Sequence, residues 1–241
     1  MIDLEKFKHQ SWLDGRIIAI NGDCEAVMAE IGDKEVYLVL TDPPYGGGGD
    51  NHEWDNKKRG RFEGWFDKYH INCERTGGSW SKKNQRDNSI KHWDFAPSQE
   101  IFEEIFRISK EQIIWGGNYF ELPATRCFLI WKKLTISEKF SMAMAEYAWT
   151  SFNQNAKIYE IAPQDPTRFH PTQKPIDLIG WCLNNYSKEN DLIFDAFSGS
   201  FTTAIACIKT NRRFIGCELD PIYFEKACER IDTELKQLTL F

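Results

Sequence analysis

The chain has 241 residues, 41% hydrophobic and 27% charged, with a net charge of −6. That length fits one α/β domain with a substantial core, and that charge argues against a wholly basic nucleic-acid binder. No apolar run approaches the roughly 20 residues of a membrane span, and Met1-Ile-Asp-Leu-Glu-Lys6 has neither the basic region nor the apolar segment of a signal peptide.

Arg16–Ile20 reads as a strand and Asp23–Ile31 as a short helix, followed by a strand at Val36–Leu40. That strand runs into Asp42-Pro43-Pro44-Tyr45 and then four glycines, Gly46–Gly49. From Gly46 to Ala96 the chain is irregular and holds eight of the sixteen glycines and four tryptophans, Trp54, Trp65, Trp80 and Trp93. Structureless stretches this long are lids, binding loops or disordered segments. Between Lys57 and Lys91 ten Lys/Arg face four Asp/Glu, a local +6 on a chain whose remainder carries −12. Cations and aromatic rings interleaved in this way suit a groove that tracks a nucleic acid, and equally a solvated loop.

Periodicity resumes with Ser98 as an N-cap before Ile101, Phe102, Ile105, Phe106 and Ile108 at helical spacing. Short apolar strands follow at Gln112–Trp115, Cys127–Trp131, Glu146–Trp149 and Ala156–Ile161. Pro175 opens a helix reaching about Tyr186, Leu192–Phe194 is a strand, Thr202–Lys209 a helix, Phe214–Cys217 a strand and Pro221–Leu235 a final helix. Strands alternating with helices imply an α/β fold with a doubly wound, mostly parallel sheet. The seven scattered cysteines contain no Cys-x-x-Cys pair and read as reduced packing thiols of a cytoplasmic protein with no metal site.

The Asp42–Tyr45 tip combines an acceptor-only carboxylate, two residues without an N–H and an aromatic face. Such a tip can accept both protons of an exocyclic amine while a ring stacks on the heterocycle. A plain proline turn with a surface tyrosine would look the same from spacing alone. Asp195-Ala-Phe-Ser-Gly-Ser200 links a strand to a helix, where a glycine turn lets a ligand approach the carboxyl ends of the strands. Glu218 ends the next strand and is placed to accept from ribose hydroxyls. No Gly-x-Gly-x-x-Gly occurs, so a ligand with a ribose and no pyrophosphate fits better. His170-Pro-Thr-Gln-Lys-Pro175 is a stiff segment offering the Thr172 hydroxyl and the Lys174 ammonium to a ligand carboxylate.

In this order, Thr41-Asp-Pro-Pro-Tyr-Gly46, His170–Pro175 and Phe194–Ser200 with Glu218 resemble the β-group of S-adenosylmethionine-dependent DNA amino-methyltransferases, phage-type adenine-N6 enzymes above all. Ile113–Tyr119 and Cys127–Lys132 resemble the same group, and the likeness covers roughly residues 16–45 and 92–232. The resemblance implies a single methyltransferase domain over residues 1–241, Rossmann-like and circularly permuted, with a seven-stranded sheet and one antiparallel strand. It implies S-adenosylmethionine as cofactor and double-stranded DNA as partner, with a cognate restriction endonuclease as a further partner and a monomer or homodimer as the assembly.

The resemblance places Asp42, Pro43, Pro44 and Tyr45 at the reacting amine of a flipped base. It gives the cofactor Asp23, Cys24, Asp42, Thr172, Lys174, Asp195, Ala196, Phe197, Ser198, Gly199, Ser200, Thr202 and Glu218. An aspartate at position 42 goes in this group with adenine-N6, a serine with cytosine-N4. Two departures stand out. Phe201 replaces a family glycine, with crowding of the cofactor and an inactive DNA-binding relative as the alternative. Little chain is left between Ser151 and Phe169 for target recognition, which shifts that role to Gly46–Ala96, with Lys57, Lys58, Arg59, Arg61, Lys82, Lys83, Arg86 and Lys91 as DNA contacts.

Overall fold

The computed structural model describes residues 2–45, 96–139, 143–163, 168–170 and 172–238. The eight basic residues expected to touch DNA, Lys57 through Lys91, lie outside the described residues.

The strands are β1 (Lys8–Trp12), β2 (Ile17–Asn21), β3 (Val36–Thr41), β4 (Ser109–Trp115), β5 (Phe128–Lys133), β6 (Ala145–Thr150), β7 (Lys157–Ile161), β8 (Leu192–Asp195) and β9 (Arg213–Glu218). The helices are α1 (Cys24–Ala29), α2 (Gln99–Ile108), α3 (Ile176–Tyr186), α4 (Thr202–Lys209) and α5 (Pro221–Leu238). All nine strands join one sheet in the order β1-β2-β9-β8-β3-β4-β6-β5-β7. The run β2-β9-β8-β3-β4 is parallel, β6 is antiparallel to both β4 and β5, and β7 lies parallel to β5.

The seven strands from β2 to β5 in that order therefore contain one antiparallel member, β6, as expected. Among the described residues the sheet nevertheless has nine strands rather than seven, because β7 extends one edge and β1, a second antiparallel strand, the other. β1 has no counterpart in the sequence reading. Lys-His-Gln-Ser-Trp is polar and almost wholly exposed, so it lacks the apolar signal of a strand. Its pairing to β2 is imposed by the turn at Leu13, Asp14 and Gly15, all at positive φ.

Helices cover both faces, which is why β3 is apolar from Val36 to Leu40 instead of alternating. Leu38 and Leu40 pack in the core shared with α3, α4 and α5, whereas Val39 packs in the core shared with α1 and α2. Arg107 locks the second layer, donating to the Met28 carbonyl at 2.9 Å and the Ile31 carbonyl at 2.8 Å at the end of α1. The six described cysteines are all buried free thiols, and burial pushes Cys24 and Cys228 up to about 12. Among the described residues no helix is long and apolar enough to cross a membrane.

From β3 the chain crosses by α2 to β4 on one side, and from β8 it crosses by α4 to β9 on the other. The direction of winding reverses between β3 and β8, and the carboxyl ends of strands at such a reversal flank a crevice.

Candidate active site at the reversal of the sheet

Asp42–Tyr45 leaves the end of β3, and Asp195–Ser200 leaves the end of β8 beside it. The Thr41 hydroxyl donates to Asp195 Oδ1 at 2.8 Å, the Thr203 hydroxyl to Oδ2 at 2.7 Å and the Phe197 N–H to Oδ1 at 3.2 Å. Asp195 thus fastens both tips to the start of α4. Burial pushes its carboxyl up to about 6 in spite of those donors.

At the neighbouring tip, Glu218 accepts from the Gly199 N–H at 2.9 Å and from the Asp220 N–H at 2.8 Å. Burial still holds it up at about 7. Asn21 donates to the carbonyls of Glu218 and Leu219 at 2.8 and 3.2 Å, which ties the end of β2 to the same corner. Asp23 follows and caps α1, accepting from the Glu25 N–H at 2.9 Å. Gly199 sits at φ +51 against the His170 ring, which would lie 3.2 Å from an added Cβ. His170 is buried over Tyr223, and that burial, helped by the Arg168 charge, takes it down to about 4.

The Asp42 carboxylate is held from two sides. The Tyr45 hydroxyl donates to Oδ1 at 2.7 Å, and the Lys174 ammonium donates to Oδ2. Burial, and then the charge of Asp42, hold the Tyr45 phenol well above its ordinary range, so it remains a donor. Its ring stacks on Tyr119 with centroids 4.7 Å apart. It also lies so close to Gly116 that an added Cβ would meet Tyr45 Cε1 at 2.0 Å. Gly116 adopts φ +67 just beyond β4, so the ring has its place because residue 116 has no side chain.

These groups line a cleft of about 680 Å³. Of the residues expected at the site, Asp23, Cys24, Asp42, Pro43, Pro44, Tyr45, Thr172, Lys174, Ala196, Phe197, Gly199 and Glu218 line it. A recess of about 50 Å³ is lined by Thr41, Asp42, Trp115, Thr172, Lys174, Asp195, Ser198, Ser200 and Thr202 among others. The sheet thus gathers every expected tip and cofactor residue around two spaces that share Asp42, Thr172 and Lys174 in their linings.

Two features differ from the sequence reading. Phe201 lines neither space. It takes the left-handed conformation at φ 53 and turns its ring into the core, edge-on to Phe214 and Phe224 at 6.1 and 6.3 Å. The ring expected to crowd the cofactor packs in the core instead. Lys174 offers its ammonium to two protein carboxylates, Asp42 and Glu146. Burial works against that charge, but Asp42 and Glu146 outweigh it and hold Lys174 above its ordinary range.

Glu146 and Lys133 line the cleft and were not foreseen, nor were Tyr119 and Gly116 beside the Tyr45 ring. The signal for the first two is faint: an acid and a lysine within short strands look like ordinary outward-facing positions.

A doubly wound sheet with an acidic, aromatic tip at the end of β3 and a carboxylate at the end of β9, on either side of the β8 tip, is the arrangement of an S-adenosylmethionine-dependent methyltransferase. The family model for DNA methylases, a family that includes both N6 and N4 enzymes, matches residues 78–229, and the chain belongs to that family. The type II methyltransferase M2.MboI of Moraxella bovis is 24% identical over 244 residues, covering 87% of this chain and 85% of its own. Among solved structures, the M1.HpyAVI–SAM complex superposes with a TM-score of 0.53 at 17% identity, covering 89% of this chain and 98% of that one. The cytosine-N4-specific PvuII DNA methyltransferase gives 0.55 at 15% identity, covering 89% and 86%. Both share the fold.

Proposed function

We propose that this chain transfers a methyl group from S-adenosylmethionine to the N6 amine of an adenine turned out of double-stranded DNA. The observation that carries this reading is the Asp42 carboxylate, fixed beside two prolines and the Tyr45 ring at the mouth of the cleft that also holds Glu218.

The residues present suit the cofactor. A nucleoside joined to an amino acid fits about 680 Å³, with Glu218 for ribose hydroxyls and Phe197, Cys217 and Leu219 as apolar wall. Cys24, Ala196 and Gly199 complete that wall with Asp23 as an acceptor beside them, and Thr172, Asp195, Ser198, Ser200 and Thr202 surround the recess. When bound, S-adenosylmethionine supplies a methyl group made electrophilic by its sulfonium.

This chain's own part is positioning. Asp42 already has one partner on each oxygen, but a carboxylate has about four acceptor sites, so it can still receive an amine proton. The Pro43 carbonyl, next to a residue with no N–H of its own, can receive the other. Both amine protons turned this way point the nitrogen lone pair at the methyl group. Tyr45 offers its ring to the base while its hydroxyl stays on Asp42. An amine held in line gains most of its rate from orientation and charge placement, and no covalent enzyme intermediate is needed.

The aspartate at position 42 is what favours adenine over cytosine. We assign target recognition to residues 46–96, outside the described residues. Deleting that stretch should abolish sequence preference; an unchanged preference would sink the assignment.

The test of the reading is the methylated nucleoside itself. DNA from a methylation-deficient host expressing the chain is digested to nucleosides and separated. N6-methyladenine supports the proposal, and N4-methylcytosine replaces it with the cytosine reading. With neither base methylated, the transfer reading fails.

A further inference from the structure

Asp42 heads a row of four charges of alternating sign, drawn from four parts of the chain. Asp42 follows β3, Lys174 precedes α3, Glu146 lies in β6 and Lys133 ends β5. Lys174 Nζ bonds Asp42 Oδ2 and stands 3.1 Å from Glu146 Oε2, while Lys133 Nζ stands 2.5 Å from Glu146 Oε1. Both lysine side chains are only 7% exposed. Trp115 lies under Lys174 at 5.4 Å and Trp131 under Lys133 at 4.9 Å. The row sums to zero charge.

Stability alone is a poor reason for such a row. Buried ion pairs are commonly no more stabilising than apolar residues of the same volume, although removing one partner is costly. What the row does do is restrain one carboxylate. Tyr45 fixes Oδ1, Lys174 fixes Oδ2, and Glu146 with Lys133 behind it fixes where Lys174 can stand. We propose that Lys174 is the positioning residue for Asp42, holding its carboxylate as a fixed acceptor for the target amine. This rests on the reading of Asp42 as that acceptor.

Without Lys174, Oδ2 of Asp42 loses its donor while the Tyr45 hydroxyl stays on Oδ1, so the carboxylate can turn about that one bond. The acceptor is then misplaced for the amine, and orientation is where the rate comes from. A residue that merely fills space would cost the same whatever stands at position 42.

The experiment is single-turnover methyl transfer to DNA at saturating cofactor and neutral pH, with Lys174→Met, Lys174→Arg, Asp42→Asn and the double variant Asp42→Asn/Lys174→Met. Lys174→Met is expected to be about tenfold or more slower, with the cofactor-induced thermal shift retained. In the Asp42→Asn background the same substitution should cost little more, because its target is gone. Lys174→Arg keeps a charged donor for Oδ2 and should recover most of the rate, which keeps the test open if Lys174→Met does not fold.

An unchanged rate in Lys174→Met, additive losses in the double variant, or no recovery in Lys174→Arg overturns the inference while leaving the proposed function standing. A wild-type chain that methylates no DNA overturns both.

Discussion

Glu218 and Asp195 are carboxyls that burial holds up, to about 7 and about 6, from ordinary values of 4.5 and 3.8. The folded chain binds those protons more tightly than the unfolded chain does. Their contribution to stability is therefore complete below about pH 4 and is lost as pH rises through about 6 to 7. The ligand-free protein should melt at lower temperature at about pH 8 than at about pH 5, and Glu218→Gln should flatten part of that slope. Ribose hydroxyls donating to Glu218 favour its charged form, so binding should release a proton. The thermal shift given by S-adenosylhomocysteine should then grow from about pH 5.5 to 8 in the wild type and stay level in Glu218→Gln. Equal shifts at every pH in both proteins would remove Glu218 from the ribose.

Phe201 poses a packing question at the same scale. Its left-handed backbone costs on the order of 1–2 kcal/mol, while its fully buried ring contributes the larger share of a loss of about 3–5 kcal/mol on truncation. Phe201→Gly should therefore destabilise by roughly 2–3 kcal/mol in urea unfolding, with cofactor affinity per folded molecule unchanged. Weaker cofactor binding at unchanged stability would show that the ring bears on the cleft.

Among the elements, the turn after β4 does more than connect. Gly116 holds φ +67, and its missing Cβ is the space the Tyr45 ring occupies. Gly116→Ala would drive the ring away and break the hydroxyl bond to Asp42. Methyl transfer should fall about tenfold or more while the cofactor-induced shift persists; retained transfer would mean that Tyr45 need not sit there.

The same elements show what the sequence could and could not reveal. β3, β8 and β9 are short, apolar and closed by Asp, Pro or Gly, so both their existence and their tips were legible. β1 was not, because an exposed edge strand has no apolar face to betray it. Glu146 and Lys133 were not, because their partners are distant in sequence and meet only across β5, β6 and the segment before α3. Lys174 was expected beside a ligand carboxylate, and its bonding to Asp42 across 132 positions was not legible.

At the scale of the molecule, reversal of winding between β3 and β8 explains why motifs so far apart in sequence form one site. A parallel sheet puts all carboxyl ends on one edge, and the reversal opens the crevice where α2 and α4 leave in opposite directions. The tip we propose meets the amine then precedes in the chain the turn we propose meets the cofactor, yet the two are neighbours in space.

The central claim is that Asp42 receives the target amine in this cleft. The most direct test is transfer of labelled methyl from S-adenosylmethionine to unmethylated DNA by purified wild type and Asp42→Ala, with cofactor binding followed in parallel. The account predicts label in N6-methyladenine from the wild type, loss of at least about 100-fold in Asp42→Ala, and cofactor binding in both. Transfer that persists in Asp42→Ala at close to the wild-type rate would contradict it.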